Sequence, residues 1–254
     1  MTPLILSQFG FATFTTLTII DLIAATTNAF NGALLARRPD HYKHFTLIGV
    51  ILLAYVGGIG GGIIRDVLCN KVPSPLVNPW YLIGCFAAAS LALLIEYRSE
   101  QRFKDGLFQF MTAFSLPWYA IVGAQVAVES HLGYVGAVLV GTIATTGGRW
   151  IIDIACGVVP KQLIRGEFFV LTAVMTAALY LVCKEAIGLS TVVSTAIAFV
   201  FGFGFRLTAQ TLGWEEWEPW EPSALKAGEK ERHKLGEGLR AELEPQNPKT
   251  PNQS

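Results

Sequence analysis

The chain has 254 residues, 52% of them hydrophobic, with 19 basic against 19 acidic side chains and a mean hydropathy of +0.46. A soluble enzyme carries roughly a quarter charged residues spread along its length, but here the share is 15%, and residues 209–254 alone hold nine Glu and six Lys or Arg. That excludes a soluble catalytic domain and a disordered regulator, and a net charge of zero removes the electrostatic case for a nucleic-acid partner.

Apolar stretches long enough to cross a bilayer, about 20 helical residues each, fall near 9–35, 46–69, 80–97, 107–128, 132–157, 167–183 and 188–208. The fold class they predict is an all-α membrane protein of seven transmembrane helices. The first stretch has no basic segment before it, contains Asp21 and runs straight into further spans, so it is expected to be a helix rather than a cleaved signal peptide. Asp21 and Asn28 lie seven residues apart on one helical face, with Asn31 close by. They either line a cavity or are satisfied by interhelical hydrogen bonds.

The second stretch is free of charge from Thr46 to Ile64 and carries Gly57, Gly58, Gly60, Gly61 and Gly62. Each glycine costs about 1 kcal/mol relative to Ala inside a helix, so the run calls for a reason. Either small residues let two helices approach closely, or the helix kinks and unwinds, exposing carbonyls to a cation where the backbone lines a cavity. Arg65 and Asp66 follow at once. The third stretch offers Gly84, Ala87, Ala88, Ala89 and Ser90 as a close-contact surface.

Past the fourth stretch, the fifth repeats the second. Residues 60–76 laid over residues 147–163 match at eight of 17 positions, an offset of 87, and a weaker echo sets Gly32-Ala33 over Gly123-Ala124. Each copy has three spans, and an odd number of crossings inverts the second copy in the membrane. The domains expected are a first repeat over 9–98, a second, inverted repeat over 105–184, a seventh helix over 188–208, and an acidic tail over 209–254. Inverted repeats characterise folds that move small solutes, with interrupted spans meeting at a midplane site. Here those spans are the second and fifth.

The second copy brings Thr145 and Thr146 ahead of Gly147 and Gly148, then Arg149 and Asp153. The glycines of both copies and the two threonines are the candidate pore-lining or kink residues, the hydroxyls adding oxygen ligands. Charges at bilayer depth cost a few kcal/mol each and face a wet cavity or a partner. Arg65 and Arg149 are therefore expected to pair with Asp66 and Asp153, either to hold helices together or to set the field of a permeation path, with Asp21 a further candidate. Paired membrane aspartates also raise a peptidase reading. The Tyr-Asp and Gly-x-Gly-Asp settings of such enzymes are missing, His41, His44, His131 and His233 lie in loops or tail, and no enzyme is expected. Cys69, Cys85, Cys156 and Cys183 lack the close pairing of a metal or redox site and read as packing residues, so neither metal nor cofactor is expected.

Basic residues mark the cytoplasmic side. Arg37, Arg38 and Lys43, then Arg98, Arg102 and Lys104, then Lys161 and Arg165 share one side with the tail. This places the N-terminus outside and the C-terminus in the cytoplasm of a multi-pass protein of the plasma (inner) membrane. Trp214, Trp217 and Trp220 read either as an interfacial aromatic belt before a disordered tail or as a partner-binding motif.

The run Gly60-Gly61-Gly62-Ile63-Ile64-Arg65-Asp66-Val67-Leu68, a following proline, and Asn78-Pro79-Trp80-Tyr81-Leu82 resemble the signature of bacterial proteins with two glycine-transporter-type domains, the prokaryotic relatives of the trimeric intracellular cation (TRIC) channels. The resemblance spans about residues 15–205. It implies a 3+3+1 protomer in a homotrimer, an ion path inside each protomer lined by kinked second and fifth helices, and permeation by monovalent cations, chiefly potassium with sodium as the lesser candidate. Membrane lipids are the other expected partners. The chain departs from the pattern at Arg149, which stands where Gly62 does, and at Ile152, which replaces the arginine seen at Arg65. The alternative is a secondary carrier for a small amino acid such as glycine, and a third reading is a scaffold whose tail recruits a partner.

Overall fold

The computed structural model describes residues 15–36, 45–98, 101–163, 166 and 168–216, without the side chains of 96–98, 101–105 and 161. Residues 9–14 of the first apolar stretch, Arg37, Arg38, Lys43, His41, His44, Arg165, Trp217 and Trp220 lie outside the described residues, as does the rest of the tail. The described chain is helical, with no strand. In order it forms α1 (Thr16–Ala36), α2 (Leu47–Leu68), a one-turn helix (Ser74–Val77), α3 (Pro79–Arg98) and α4 (Gln101–Glu129). Then come α5 (Tyr134–Ala155), a 3-10 turn (Lys161–Leu163), α6 (Phe169–Leu181) and α7 (Thr191–Leu212). Six of these segments are long and apolar enough to cross a membrane: Thr16–Ala36, Leu47–Leu68, Gly106–Glu129, Tyr134–Ala155, Phe169–Ala186 and Thr191–Leu212. The third expected span supplies a shorter apolar helix, Pro79–Ile95.

The ends of the helices follow from local chemistry. Thr46 caps α2 by accepting a hydrogen bond from the Gly49 amide at 3.1 Å, and Ser190 caps α7 through the Val193 amide at 3.4 Å, each satisfying an orphan amide of a first turn. Where the sequence puts a loop at Lys184-Glu185, α6 instead continues as a π-helical turn, Val182–Ala186. Lys184 Nζ donates to Thr191 Oγ1 at 2.8 Å, tying that turn to the start of α7.

The two copies of the repeat end alike. Helices α2 and α5 are each 22 residues long and start 87 residues apart in register with the sequence match. Asn70, with φ 54°, and Gly157, with φ 72°, are the left-handed residues that stop them. In the first copy the Lys71 amide donates to the Asp66 carbonyl at 2.8 Å and the Asn70 amide to the Val67 carbonyl at 3.0 Å; the second has Val158 to Asp153 at 2.9 Å and Gly157 to Ile154 at 3.0 Å. This is the Schellman pattern of a helix C-terminus, made twice at equivalent positions. Close crossings repeat as well: a Cβ on Gly32 would lie 3.1 Å from the Ala54 Cα, and one on Gly123 2.7 Å from the Gly141 Cα.

Small residues build the interior. Ala24, Ala25, Ala29, Ala54, Ala88 and Ala89 join α1, α2 and α3, while Ala120, Ala124, Ala137, Ala173 and Ala177 join α4, α5 and α6. Large apolar residues point outward, among them Leu47, Ile48, Leu52, Val135, Leu139 and Val200. This is an inverted packing order relative to water-soluble proteins and suits lipid outside with close helix contact inside. Helix α7 docks on α4 through Phe110, Phe114 and Trp118 against Phe199 and Phe203, with the Trp118 and Phe199 rings stacked at 4.0 Å.

Candidate functional site

Helices α2 and α5 cross at their glycines, and both stay helical throughout, α2 across Gly57–Gly62 and α5 across Gly147–Gly148. The expected unwinding with freed carbonyls is therefore not what the glycines do. They bring backbones into contact. A Cβ on Gly61 would fall inside contact distance of the Ala144 carbonyl oxygen, one on Gly148 would lie 3.0 Å from both the Val56 and Gly57 carbonyl oxygens, and one on Gly60 3.3 Å from the Gly148 Cα. Gly58 faces the other way, where a Cβ would come within 2.8 Å of the Ala25 carbonyl oxygen and of Cys85 Sγ. Gly62 alone of the run has room, its nearest neighbour being Arg65 Nη2 at 3.8 Å. Nor do Thr145 and Thr146 present free hydroxyls: they donate back to the Gly141 and Thr142 carbonyls at 2.8 and 3.0 Å, the usual way a buried threonine satisfies itself in a helix.

One turn beyond the crossing lies a buried ionic cluster. Arg65 grips Asp21 of α1 with two parallel bonds, Nη1 to Oδ1 at 2.8 Å and Nη2 to Oδ2 at 3.0 Å, while its Nε donates to Asp66 Oδ1 at 2.7 Å. Tyr81 of α3 donates its hydroxyl to Asp21 Oδ2 at 2.8 Å, and the Ser74 amide donates to Asp66 Oδ2 at 2.7 Å. Arg65 and Asp66 are each 1% exposed and Asp21 4%. Bidentate geometry and further donors on both carboxylates are the conditions under which a buried pair holds. The expected Arg65–Asp66 pairing is present, and Asp21, which the sequence left between cavity lining and interhelical bonding, is its second acid.

A second polar group lies farther along α1. Asn28 Oδ1 accepts from the Ser115 hydroxyl at 2.7 Å, Asn31 Nδ2 donates to Thr112 Oγ1 at 3.3 Å, and Arg149 Nη2 donates to the same oxygen at 2.7 Å. The Arg149 guanidinium also lies over the rings of Phe108, at 5.5 Å, and Phe169, at 4.9 Å, the geometry of cation–π attraction. Asn28, Asn31, Gly32, Leu35, Gly57, Phe108, Arg149 and Ile152 enclose a cavity of about 10 Å³, which is room for about one water molecule. Asn31 Oδ1 is buried without a hydrogen-bond partner among the described residues. Between the two groups, Tyr119 of α4 donates its hydroxyl to the Gly58 carbonyl. From Asp21 to Asn31 is ten residues, about 15 Å along a helix, so polar side chains run along the inner face of α1 through much of a bilayer's depth. Asp153 is 3% exposed near the end of α5.

The sequence points to Asp21, Asn28, Asn31, Arg65, Asp66 and Arg149, carries Tyr81 in the signature without a role, and does not single out Thr112, Ser115 and Tyr119. A lone hydroxyl in an apolar span has no periodic signature. One signal was present: Thr112 is 91 residues after Asp21, the same spacing that sets Gly123 over Gly32, so each repeat's first helix offers an oxygen to an arginine on its second.

Helices of bilayer length with a polar seam inside define a multi-pass membrane protein. The profile of the family described as Glycine transporter matches residues 18–97 and again 109–185. Similar proteins include a "UPF0126 membrane protein" of Deinococcus radiodurans, 34% identical over 160 residues that cover 63% of this chain and 72% of the relative. The "UPF0126 inner membrane protein YadS" of Escherichia coli is 27% identical over 153 residues, covering 59% and 70%. Among solved structures, the TRIC channel orthologue from Rhodobacter sphaeroides superposes with a TM-score of 0.70 at 26% identity, covering 79% of this chain and all of that one. A second structure, described as showing the basis for conductance through TRIC cation channels, gives 0.69 at 27%, covering 82% and 99%. The chain belongs to this family of two-fold glycine-transporter-type membrane proteins, the prokaryotic relatives of TRIC channels.

Proposed function

We propose that the protein is a passive channel for monovalent cations, chiefly potassium, with one route inside each protomer. The observation that carries this reading is the seam along α1, where Asp21, Asn28 and Asn31 meet Arg65, Thr112, Ser115 and Arg149 inside a helical body whose outer face is apolar. Intramembrane polar and charged side chains that face a bundle interior mark ion or substrate pathways. Amide and hydroxyl oxygens are hard ligands suited to alkali cations. The likeness to structures described as TRIC cation channels adds to the case.

In this reading seven helices cross the membrane as two inverted three-helix units plus α7, and the duplicated helix stops at Asn70 and Gly157 support the duplication. Helices α2 and α5 wall the route, and their glycine stretches, free of side-chain bulk, are where the walls bend on opening. The Arg65–Asp21–Asp66 cluster fixes the electrostatic field at one end. The protomers form a homotrimer in the inner membrane, N-terminus outside and tail in the cytoplasm.

The test is flux through the purified full chain in liposomes. Potassium release that is linear in concentration and indifferent to glycine supports the channel. Saturable glycine uptake without potassium conductance establishes the carrier that the family description suggests, and removes this proposal.

A further inference from the structure

We infer that Glu216 is a positioning residue: from beyond the end of α7 it clasps the start of α6, and through Phe169 it sets how far the cation route opens. This rests on the channel reading above. Gly213, with φ 63°, stops α7, and the Trp214 amide donates to the Ala209 carbonyl at 2.9 Å. The chain then turns back. Trp214 sets its ring against Phe205, centroids 6.3 Å apart, and the Glu216 amide donates at 2.8 Å to the carbonyl of Gly166, just ahead of α6. The N-cap position of α6 is held by Phe168, whose side chain makes no capping hydrogen bond. Glu216 brings a carboxyl group to that end of the helix, where a negative charge is favoured. Burial pushes its pKa up, against the pull of the Leu171 amide, in the first turn of α6, and of the Arg206 guanidinium.

The clasp bears on the route through one ring. Phe169 is the first residue of α6 and is buried. The Arg206 guanidinium of α7 lies 5.3 Å from its centroid and the Arg149 guanidinium of α5 lies 4.9 Å from it. Phe169 thus joins the clasped end of α6 to a side chain that walls the cavity between α1, α2, α4 and α5. Arg149 keeps other contacts, Thr112 at 2.7 Å among them, so the clasp adjusts its position rather than holding it alone. The cavity has room for about one water, too little for a hydrated cation. Without its cap the first turn of α6 frays, Phe169 leaves its place, and the wall beside it gains freedom to swing aside.

The experiment compares wild type, Glu216→Ala, Glu216→Asp and Trp214→Ala, each as purified full chain, with melting temperatures measured in parallel. Hydrogen exchange of the amides at 169–172 reads the cap, and potassium release from liposomes at equal protein density reads the route. Glu216→Ala is expected to exchange there about fivefold faster, the effect of a lost helix cap, and to release potassium several-fold faster. Glu216→Asp, which keeps the charge, should lie closer to wild type in both readouts. Trp214→Ala frees the same segment from Phe205 and should shift both readouts in the direction of Glu216→Ala, which keeps the test open should one variant fail to fold. Unchanged exchange at 169–172 in Glu216→Ala overturns the inference. Faster exchange with unchanged flux also overturns it, because Glu216 is then a stabilising contact and nothing more, as does an aspartate variant no better than alanine. Each of these results, with wild-type flux intact, leaves the channel reading standing. If wild type and every variant match protein-free liposomes, the channel reading falls and takes the inference with it.

Discussion

Adding one methyl group at Gly61 or at Gly62 should have opposite effects on stability, although the two glycines are adjacent. At Gly61 the new Cβ falls within contact distance of the Ala144 carbonyl oxygen. The opposing atom is backbone in a continuous helix, so no rotamer change relieves it and α2 must move away from α5. Overpacking of this sort costs about 1–3 kcal/mol and sometimes more, and a backbone obstacle puts Gly61→Ala at the upper end. At Gly62 the nearest atoms to a new Cβ are Arg65 Nη2 at 3.8 Å and Pro75 Cγ at 3.9 Å, ordinary contacts, so Gly62→Ala keeps the helix-propensity gain of about 1 kcal/mol. The gap between the two variants is then about 3 kcal/mol or more, or roughly 6–12 °C at 2–4 °C per kcal/mol for a chain of this size. Thermal unfolding of the purified protein in detergent measures it. Equal melting temperatures for the two variants refute the reasoning, because a run of glycines that serves to unwind the helix makes no distinction between neighbours.

Three further substitutions probe other parts of the structure. Asp21→Asn removes one of the two acids on Arg65 and leaves a buried guanidinium short of charge, so it should destabilise by about 3–5 kcal/mol; a melting temperature within 2 °C of wild type, to order of magnitude, contradicts the cluster. Trp118→Ala deletes the stack on Phe199 at 4.0 Å and should cost about 3–5 kcal/mol, read as lowered melting temperature and faster proteolysis at α7. Lys71 and Glu129 approach to 3.9 Å with side chains 41% and 45% exposed; Lys71→Ala should change stability by less than about 1 kcal/mol, seen as an unmoved unfolding curve.

Much of this architecture was legible in the sequence because bilayer thickness and duplication leave long-range marks. Apolar length located six helices long enough to cross a membrane, and the match over residues 60–76 and 147–163 fell on two helices that prove equal in length and end alike. Boundaries inside polar segments were less legible: Lys184-Glu185 read as a loop, whereas hydrogen bonding carries α6 through it as a π-helical turn. The glycines show why a motif can be found and still leave two readings open. Absence of a Cβ permits unwinding and close approach alike, and the choice depends on what lies opposite, which for Gly61 is a carbonyl 83 residues away in sequence. Likewise Arg65 stands next to Asp66 in sequence, while half of its ion pairing comes from Asp21, 44 residues upstream. The hydroxyls of Tyr81, Thr112, Ser115 and Tyr119 gain meaning only from the oxygens and nitrogens that the fold brings to them.

The central claim is that cations pass beside Asn31 inside each protomer. Single-channel recording tests it most directly, using Asn31→Cys in a Cys156→Ser background, since Cys69, Cys85 and Cys183 are buried. A small cationic thiol reagent added to one side should abolish or sharply reduce unitary potassium currents in that variant and leave the Cys156→Ser parent untouched. Currents that persist at full amplitude after the cysteine is shown by mass to be modified would contradict the account.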